Sequence, residues 1–452
     1  MQTDRNALTE GVIWKKLLFF ALPILLGNIF QQMYNTVDTI IVGRLVGTEA
    51  LAAVGATGPL VSMVNGFFIG VSSGATVVLS QAYGAGDRKG VSDSIHTGVA
   101  LSLLLGVMLT AIGICLGGRV MGWMGTPENC MADATTYLRI YFAGSIGTVV
   151  YNMGAGILRA MGDSKRPMLF LMVTCILNVV LDLLFVAVLH MGVAGAACAT
   201  LIARCIELIL VLGYVYGKKL ALACGPRGMF GWSKSFVFRF VETSAPVIAN
   251  EFMWGLGTTM YSLAYGRMGD DAVAAITIAT TIQDIAVVLF QGLSAATAVI
   301  LGHELGAGHI KQAEKYATQF FILQFLVTVT ADILLVLGRW KIIGIYNITP
   351  QVAQDVNRCL LVFALYMPAK MFNYVNVVGV LRSGGDTKMC LFLDTSGVWF
   401  LGVPLAFLGA FLWNLPIYGV YALVLTEEIY KAILGYLRYR QKKWLKNLAV
   451  QV

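Results

Sequence analysis

Asp38 stands inside the stretch Leu22 to Gly47, LPILLGNIFQQMYNTVDTIIVGRLVG. That stretch is long enough to cross a bilayer, and a chain in lipid satisfies its backbone internally, so a helix is expected. Yet it holds Pro23, Asn28, Gln31, Gln32, Asn35 and Asp38. A carboxylate inside such a helix costs roughly 3 kcal/mol, and acids at such depths default to function. Counted back from Arg44 at the expected outer end, Asp38 lies about 9 Å inside the membrane. The chemistry that fits is a proton or cation site. The plainer alternative is a helix-end acid that reaches the interface or bonds a neighbour.

Asn178 and Asp182 sit four apart in LNVVLDLLF, on one face of a helix. Asp182 is about 12 Å from the expected outer end at His190, and Thr200 is about 12 Å from Gly192. Asp38, Asp182, Asn178 and Thr200 are therefore expected in one layer, with the deeper Asn152 as a further candidate. Two acids close together in a low dielectric cannot both stay ionised comfortably, so one should hold a proton. Proton exchange is the chemistry this layer could support. The alternative is a self-satisfied polar cluster that only joins helices. Gln31, Gln32, Met33 and Tyr34 lie within two turns of Asp38 and are expected to line a cavity.

Charges also occur deep in the second half. Glu251 and Lys370 each lie about 18 Å from a helix end, and Asp284 is at a similar depth. A Glu251–Lys370 ion pair is the economical arrangement, acting as a stabilising pair or as a gate or substrate contact. Arg204 and Glu207, spaced i,i+3, should pair with each other. Asp332 and Asp394 lie within about 10 Å of their helix ends, where interfacial solvation suffices.

The elements that position these residues follow from composition. Of 452 residues, 58% are hydrophobic and 12% charged, half the charge of a soluble chain. An all-α polytopic membrane protein is expected, with twelve spans near 16–43, 50–80, 93–117, 136–158, 168–190, 193–216, 239–266, 272–302, 315–338, 359–382, 389–412 and 416–437. The N-terminal region lacks the short apolar core and cleavage site of a secretory signal, so the first span is expected to be retained. The 32 Lys and Arg concentrate in the N-terminal region, the connections after even-numbered spans and the C-terminal tail. By the positive-inside rule both termini are cytoplasmic, and the net charge of +8 points to membrane topology rather than nucleic acid. The eight cysteines are scattered without metal-ligand spacing, so neither a disulfide framework nor a metal cluster is expected.

The halves repeat. GVSSGATVVLSQAYGAGDRK (70–89) parallels GLSAATAVILGHELGAGHIK (292–311), ILRAMGDSK (157–165) parallels VLRSGGDTK (380–388), and Pro23 parallels Pro246, all at offsets of 222 to 223. The expected organisation is a six-helix lobe over 1–216, a cytoplasmic linker over 217–235, and a second six-helix lobe over 236–452 ending in a basic tail. Six spans per half give both lobes one topology, related by an axis along the membrane normal, with a cavity between them. Features in both halves read as architectural: Arg159 and Lys165, like Arg382 and Lys388, are expected to hold the inner interface. Asp38, Asn178, Asp182 and Thr200 face Tyr261, Leu401, Leu405 and Val424, so this polar layer belongs to one half only.

The pieces LPILLGN…YNTVDTIIVGRLVGTEALAAVG, LRAMGDSKRP, LNVVLDLLF and GVAGAACAT together resemble the multidrug and toxic compound extrusion (MATE) family, over nearly the whole chain. The resemblance implies a secondary antiporter, not an enzyme, working by alternating access of its two lobes. It would export amphipathic, often cationic compounds in exchange for H⁺, with Na⁺ as the alternative at Asp38, Asn178 and Asp182. In the branch resembling DNA-damage-inducible F proteins, the helix-one Asp, the helix-five Asn and Asp, and the helix-six Thr match Asp38, Asn178, Asp182 and Thr200. Sodium-coupled relatives place acids in helices seven and ten. Here Glu251 is displaced by about one turn and Lys370 replaces an acid, which favours H⁺ through the first lobe. No cofactor, a monomeric state and a bacterial cytoplasmic membrane are expected. The competing reading is a lipid-linked precursor flippase, which needs a cation-rich cavity, and only Arg204 and Lys370 read as buried cations.

Overall fold

The computed structural model describes residues 12–123, 126, 128–217, 234–346 and 348–448. Apart from Gly217, Lys234 and Ser235, the expected linker at 217–235 lies outside them. The described residues contain no strand and form twelve helical segments, each overlapping one expected span. They are α1 (Ile13–Leu45), α2 (Thr48–Ala85), α3 (Arg88–Trp123), α4 (Glu128–Ala143 and Ser145–Ala160), α5 (Lys165–Val188), α6 (Gly192–Gly217), α7 (Lys234–Gly266), α8 (Asp270–Gly306), α9 (Ile310–Ile343), α10 (Pro350–Leu381), α11 (Thr387–Leu412) and α12 (Ile417–Arg440).

Among the described residues, nine helices are long and apolar enough to cross a membrane by composition alone. The other three depart from that pattern for visible reasons. α4 is broken at Gly144 into two halves of 16 residues each. α7 carries Glu242 and Glu251, and α12 carries Glu427, Glu428 and Lys431, charges that need partners if they are to sit in lipid.

The repeat extends to the backbone. Left-handed residues close equivalent helices in both halves: Gly47 and Gly269 (φ 123° and 101°), Gly86 and Gly308 (71° and 79°), Gly162 and Gly385 (93° and 74°), and His190 and Asn414 (52° and 47°). Glycine takes this conformation without Cβ strain, and Asn tolerates it best among the others. α5 ends in a π-helical turn (Leu183–Val188), and α11 ends in one at the matching place (Leu408–Leu412).

Two compact units emerge. One comprises Leu22–Tyr83 and Asp87–Ile248; the other comprises Ala249–Val452, Gly84–Gly86 and the described part of Met1–Ala21. These divisions differ from the expected lobe limits, because the opening of α7 belongs to the first unit. Phe240 of α7 is buried in a core with Val71, Ile95, Met153 and Val211. A Cβ on Gly74 of α2 would come within 2.7 Å of the Ser244 Cα, so only glycine lets α2 and α7 approach this closely.

In the second unit, the segment after α12 is packed rather than trailing. Trp444 is fully buried and stacks on Tyr439 with centroids 5.8 Å apart. Asn447 Nδ2 donates to the Gly306 carbonyl at 3.0 Å. Asp386 accepts from Arg438 Nε at 2.6 Å and Nη2 at 2.8 Å, a bidentate clamp between α12 and the turn before α11. Trp444→Ala should therefore cost about 3–5 kcal/mol. In a thermal melt of the purified protein this lowers Tm by about 6 °C or more; an unchanged Tm would show that the tail carries no packing energy.

Candidate functional site

Three helices of the first unit bring their polar residues onto facing surfaces. On α1, Gln31, Tyr34 and Asp38 follow at helical spacing; on α5, Thr174, Asn178 and Asp182; on α6, Thr200, Arg204 and Glu207. α6 runs opposite to α1 and α5, so the three rows form two tiers. The first tier is Asp38, Asn178, Asp182, Thr200 and Tyr34, all buried. The second is Thr174, Arg204, Glu207 and Gln31.

The tiers differ in how their polar atoms are satisfied. In the second, Arg204 Nη1 pairs with Glu207 at 2.8 Å, as the spacing leads one to expect, and the Thr174 hydroxyl donates to the same carboxylate at 2.8 Å. Arg204 also reaches Gln31 Oε1 at 3.5 Å and lies 5.3 Å from the centre of the Tyr34 ring. In the first tier, one oxygen of Asp38, both oxygens of Asp182, both polar atoms of the Asn178 amide and the hydroxyls of Thr200 and Tyr34 have no hydrogen-bond partner. Asp182 lies within electrostatic reach of Asp38, and the Tyr34 hydroxyl approaches Thr200 without meeting hydrogen-bond geometry. Tyr137 of α4 borders both acids.

Beyond the first tier, away from Arg204, an apolar cluster closes the space. It is built from Ile41, Val42, Val186, Val193 and Ala196, each within about two turns of a first-tier residue on its own helix, together with Tyr137 of α4. Dry walls on one side and a satisfied ion pair on the other enclose a group of buried oxygens that lack donors. Such a site can hold a proton or a small hard cation, since carboxylate, amide and hydroxyl oxygens are the ligands such cations take. No ion is needed to explain the second tier.

The other expected site residues lie elsewhere. Asn152 is spent on its own helix, donating to the Thr148 carbonyl at 2.8 Å while its backbone oxygen accepts from Ser72. Gln32 is exposed. Asp284 is exposed on α8, within electrostatic reach of Lys370.

The expected Glu251–Lys370 pair does not form. Glu251 pairs with Arg382 at 3.1 Å and Lys370 with Glu428 at 3.2 Å. Arg382, expected at the inner interface, is only 3% exposed. The packed tail explains this: a Cβ on Gly384 would meet the backbone of Trp444, and one on Gly385 would come 2.9 Å from Leu448. The end of α10 is thus covered, and its arginine needs an acid. Asp394 likewise has a protein partner in place of interfacial water, accepting from Asn250 at 2.8 Å.

Sequence reasoning missed Glu427, Glu428 and Lys431 of α12, all buried, and grouped Lys431 with the basic tail. Two signals were available. Lys431 lies nine residues before Arg440, about 14 Å along the helix. Glu428 and Lys431 also stand at an offset of 224 from Arg204 and Glu207, the same i,i+3 pair with its polarity reversed. The ion pair of the second tier is therefore shared between the halves, and the first tier is not.

The MatE family profile matches this chain twice, over residues 23–184 and 246–408, once in each half. The probable multidrug resistance protein YpnP of Bacillus subtilis (strain 168) is 29% identical over 96% of this chain and 97% of its own length. The probable multidrug resistance protein NorM of Thermotoga maritima is 26% identical over 96% and 94%. A solved structure of MATE in the bent conformation shares the fold with a TM-score of 0.88 at 24% identity, covering 96% of this chain and 97% of the other. A MOP superfamily transporter from Pyrococcus furiosus does so at 0.87 and 24%, covering 95% and 96%. With both halves matched in succession and the all-helical fold shared from end to end, the chain belongs to the MatE family.

Proposed function

We propose that this protein is a secondary antiporter that exports amphipathic, cationic organic compounds in exchange for protons bound at Asp38 and Asp182. One observation carries the coupling site. Of the buried carboxylates among the described residues, Asp38 and Asp182 are the two with no basic side chain in ion-pair range; Glu207, Glu304, Asp386, Glu427 and Glu428 each have one. A buried acid without a fixed counter-charge must take a mobile one or stay protonated. Proton loss and gain there can bias two arrangements of the lobes, which is what alternating access requires. Asn178, Thr200 and Tyr34 would orient the acids and accept or donate hydrogen bonds as their charge changes. Na⁺ at the same oxygens is the alternative coupling ion.

The export reading draws on the relatives named as multidrug resistance proteins. A lipid-linked precursor flippase would need free cations to hold a pyrophosphate. Buried cations are more numerous than the sequence led one to expect, but Arg204, Lys370, Arg382 and Lys431 each hold an acid. That neutralisation favours the antiporter.

In liposomes loaded with a fluorescent organic cation, transport should follow an imposed pH gradient without Na⁺, and Asp38→Asn or Asp182→Asn should reduce it to the rate of protein-free vesicles. Transport that requires Na⁺ but is still lost in both variants would keep the site and change the ion; normal transport by either variant would refute the assignment. Arg204 and Glu207 should behave differently. Arg204→Met leaves Glu207 buried and unpaired, a loss of about 3–5 kcal/mol. Arg204→Met/Glu207→Gln should recover most of that stability in a thermal melt and retain proton-driven transport, as scaffold residues would.

A further inference from the structure

The second unit contains a buried charge network with no equivalent in the proposed coupling mechanism. Glu427, Glu428, Lys431 and Asn373 are each no more than 5% exposed. Lys431 Nζ lies 3.4 Å from Glu427 Oε1 and 3.2 Å from Glu428 Oε2. The Tyr261 hydroxyl donates to Glu427 Oε2 at 2.6 Å. Asn373 Nδ2 donates to Glu428 Oε2 at 2.9 Å and to the Glu428 carbonyl at 2.8 Å. Lys370 approaches Glu428 Oε1 from the network's more exposed edge. Asp394 is also within electrostatic reach of Lys431.

Two features of this network point beyond a structural ion pair. Asn373 directs its amide into the cluster, yet its Oδ1 is buried and has no donor. And the Lys431 ammonium stands between two carboxylates, one of which also accepts from the Tyr261 phenol and the other from the Asn373 amide, a cluster whose oxygens suit a small monovalent cation. The lysine stem is fixed in place: it runs over Gly397, where a Cβ would come within 2.9 Å of Lys431 Cγ. Charge is balanced while the lysine is present, with two acids against Lys431 and Lys370. Glu427 is the acid the duplication does not account for, because Ala203 stands at its place in the first half.

We infer that Lys431 is a tethered cation occupying an alkali-cation site formed by Glu427, Glu428, Asn373 and Tyr261, so that the second unit takes no exchangeable ion. Removing the ammonium turns these oxygens into a Na⁺ site. The inference concerns the second unit only and stands or falls apart from the proton-coupling role of Asp38 and Asp182.

Lys431→Met tests it, since methionine keeps the stem that packs on Gly397 and removes the charged end. The full-length protein is compared in NaCl and in choline chloride by thermal melting, always with Asp38→Asn and Asp182→Asn present so that the first unit cannot respond to Na⁺. Lys431→Met should melt about 3 °C or more higher in about 0.1 M NaCl than in choline chloride. The protein retaining Lys431 should show no difference, and neither should Lys431→Met/Glu427→Gln, in which the remaining charges balance. Equal melting of Lys431→Met in the two salts would overturn the inference. So would an equal Na⁺ response with Lys431 in place, because the site would then not need vacating. Failure to recover folded Lys431→Met in about 0.3 M NaCl would overturn it too, since a saturated cation site should replace the lost charge.

Discussion

A charge held away from water needs a partner, and the internal arrangement of this protein follows from how each buried charge finds one. Desolvating an ion costs several kcal/mol, and removing one member of a buried pair leaves the other uncompensated. In the second unit the partners are permanent: Glu251 with Arg382, Glu428 with Lys370, and Lys431 with Glu427 and Glu428. In the first unit a permanent pair, Arg204 with Glu207, lies about two turns along α1 and α5 from two acids that have none. Fixed partners make rigid scaffolding. Absent partners leave a group whose charge can change with what arrives from solution.

The duplication separates what both halves share from what only one of them carries. Both halves carry an i,i+3 ion pair on their last helix, Arg204–Glu207 and Glu428–Lys431, and reversing the polarity leaves the pair intact. Its neighbours then diverge. In the first half, Thr174 completes the hydrogen bonding of Glu207, whereas its equivalent Gly397 makes room for the Lys431 stem. Asp38 is replaced by Tyr261, which donates to Glu427 in place of carrying charge itself. Where the first half places Asp182 and Thr200, the second has Leu405 and Val424. The i,i+3 ion pair is common to both halves, and the residues around it differ.

Much of this was legible in the sequence. Twelve spans could be read because lipid demands long apolar helices, and the repeat because the LRxxGD turns and paired glycines recur at one offset. The layer of Asp38, Asn178, Asp182 and Thr200 could be read because helical rise converts position into depth. The second unit's partners were harder. Depth arithmetic assumes that a helix end meets water, and α10 ends instead beneath the tail that buries Trp444 and Leu448 against Gly384 and Gly385. By that arithmetic Arg382 is interfacial and Lys370 is the basic residue at the depth of Glu251, whereas Glu251 pairs with Arg382. For Asn152, spacing alone does not reveal that its amide donates to the Thr148 carbonyl four residues back.

The apolar cluster beside the first tier sharpens the functional argument. Ile41, Val42, Val186, Val193 and Ala196 lie on the three helices that carry the first tier and place buried apolar side chains beside it. In the proposed antiport, one path for a proton to Asp38 or Asp182 leads past the second tier. Passage is hindered by Arg204, whose positive charge repels a cation, although Glu207 at 2.8 Å offsets most of that field. In the proposed antiport, a buried carboxylate that is costly to keep charged without a partner favours whichever arrangement of the protein meets its charge, and that preference is what would couple ion exchange to alternating access.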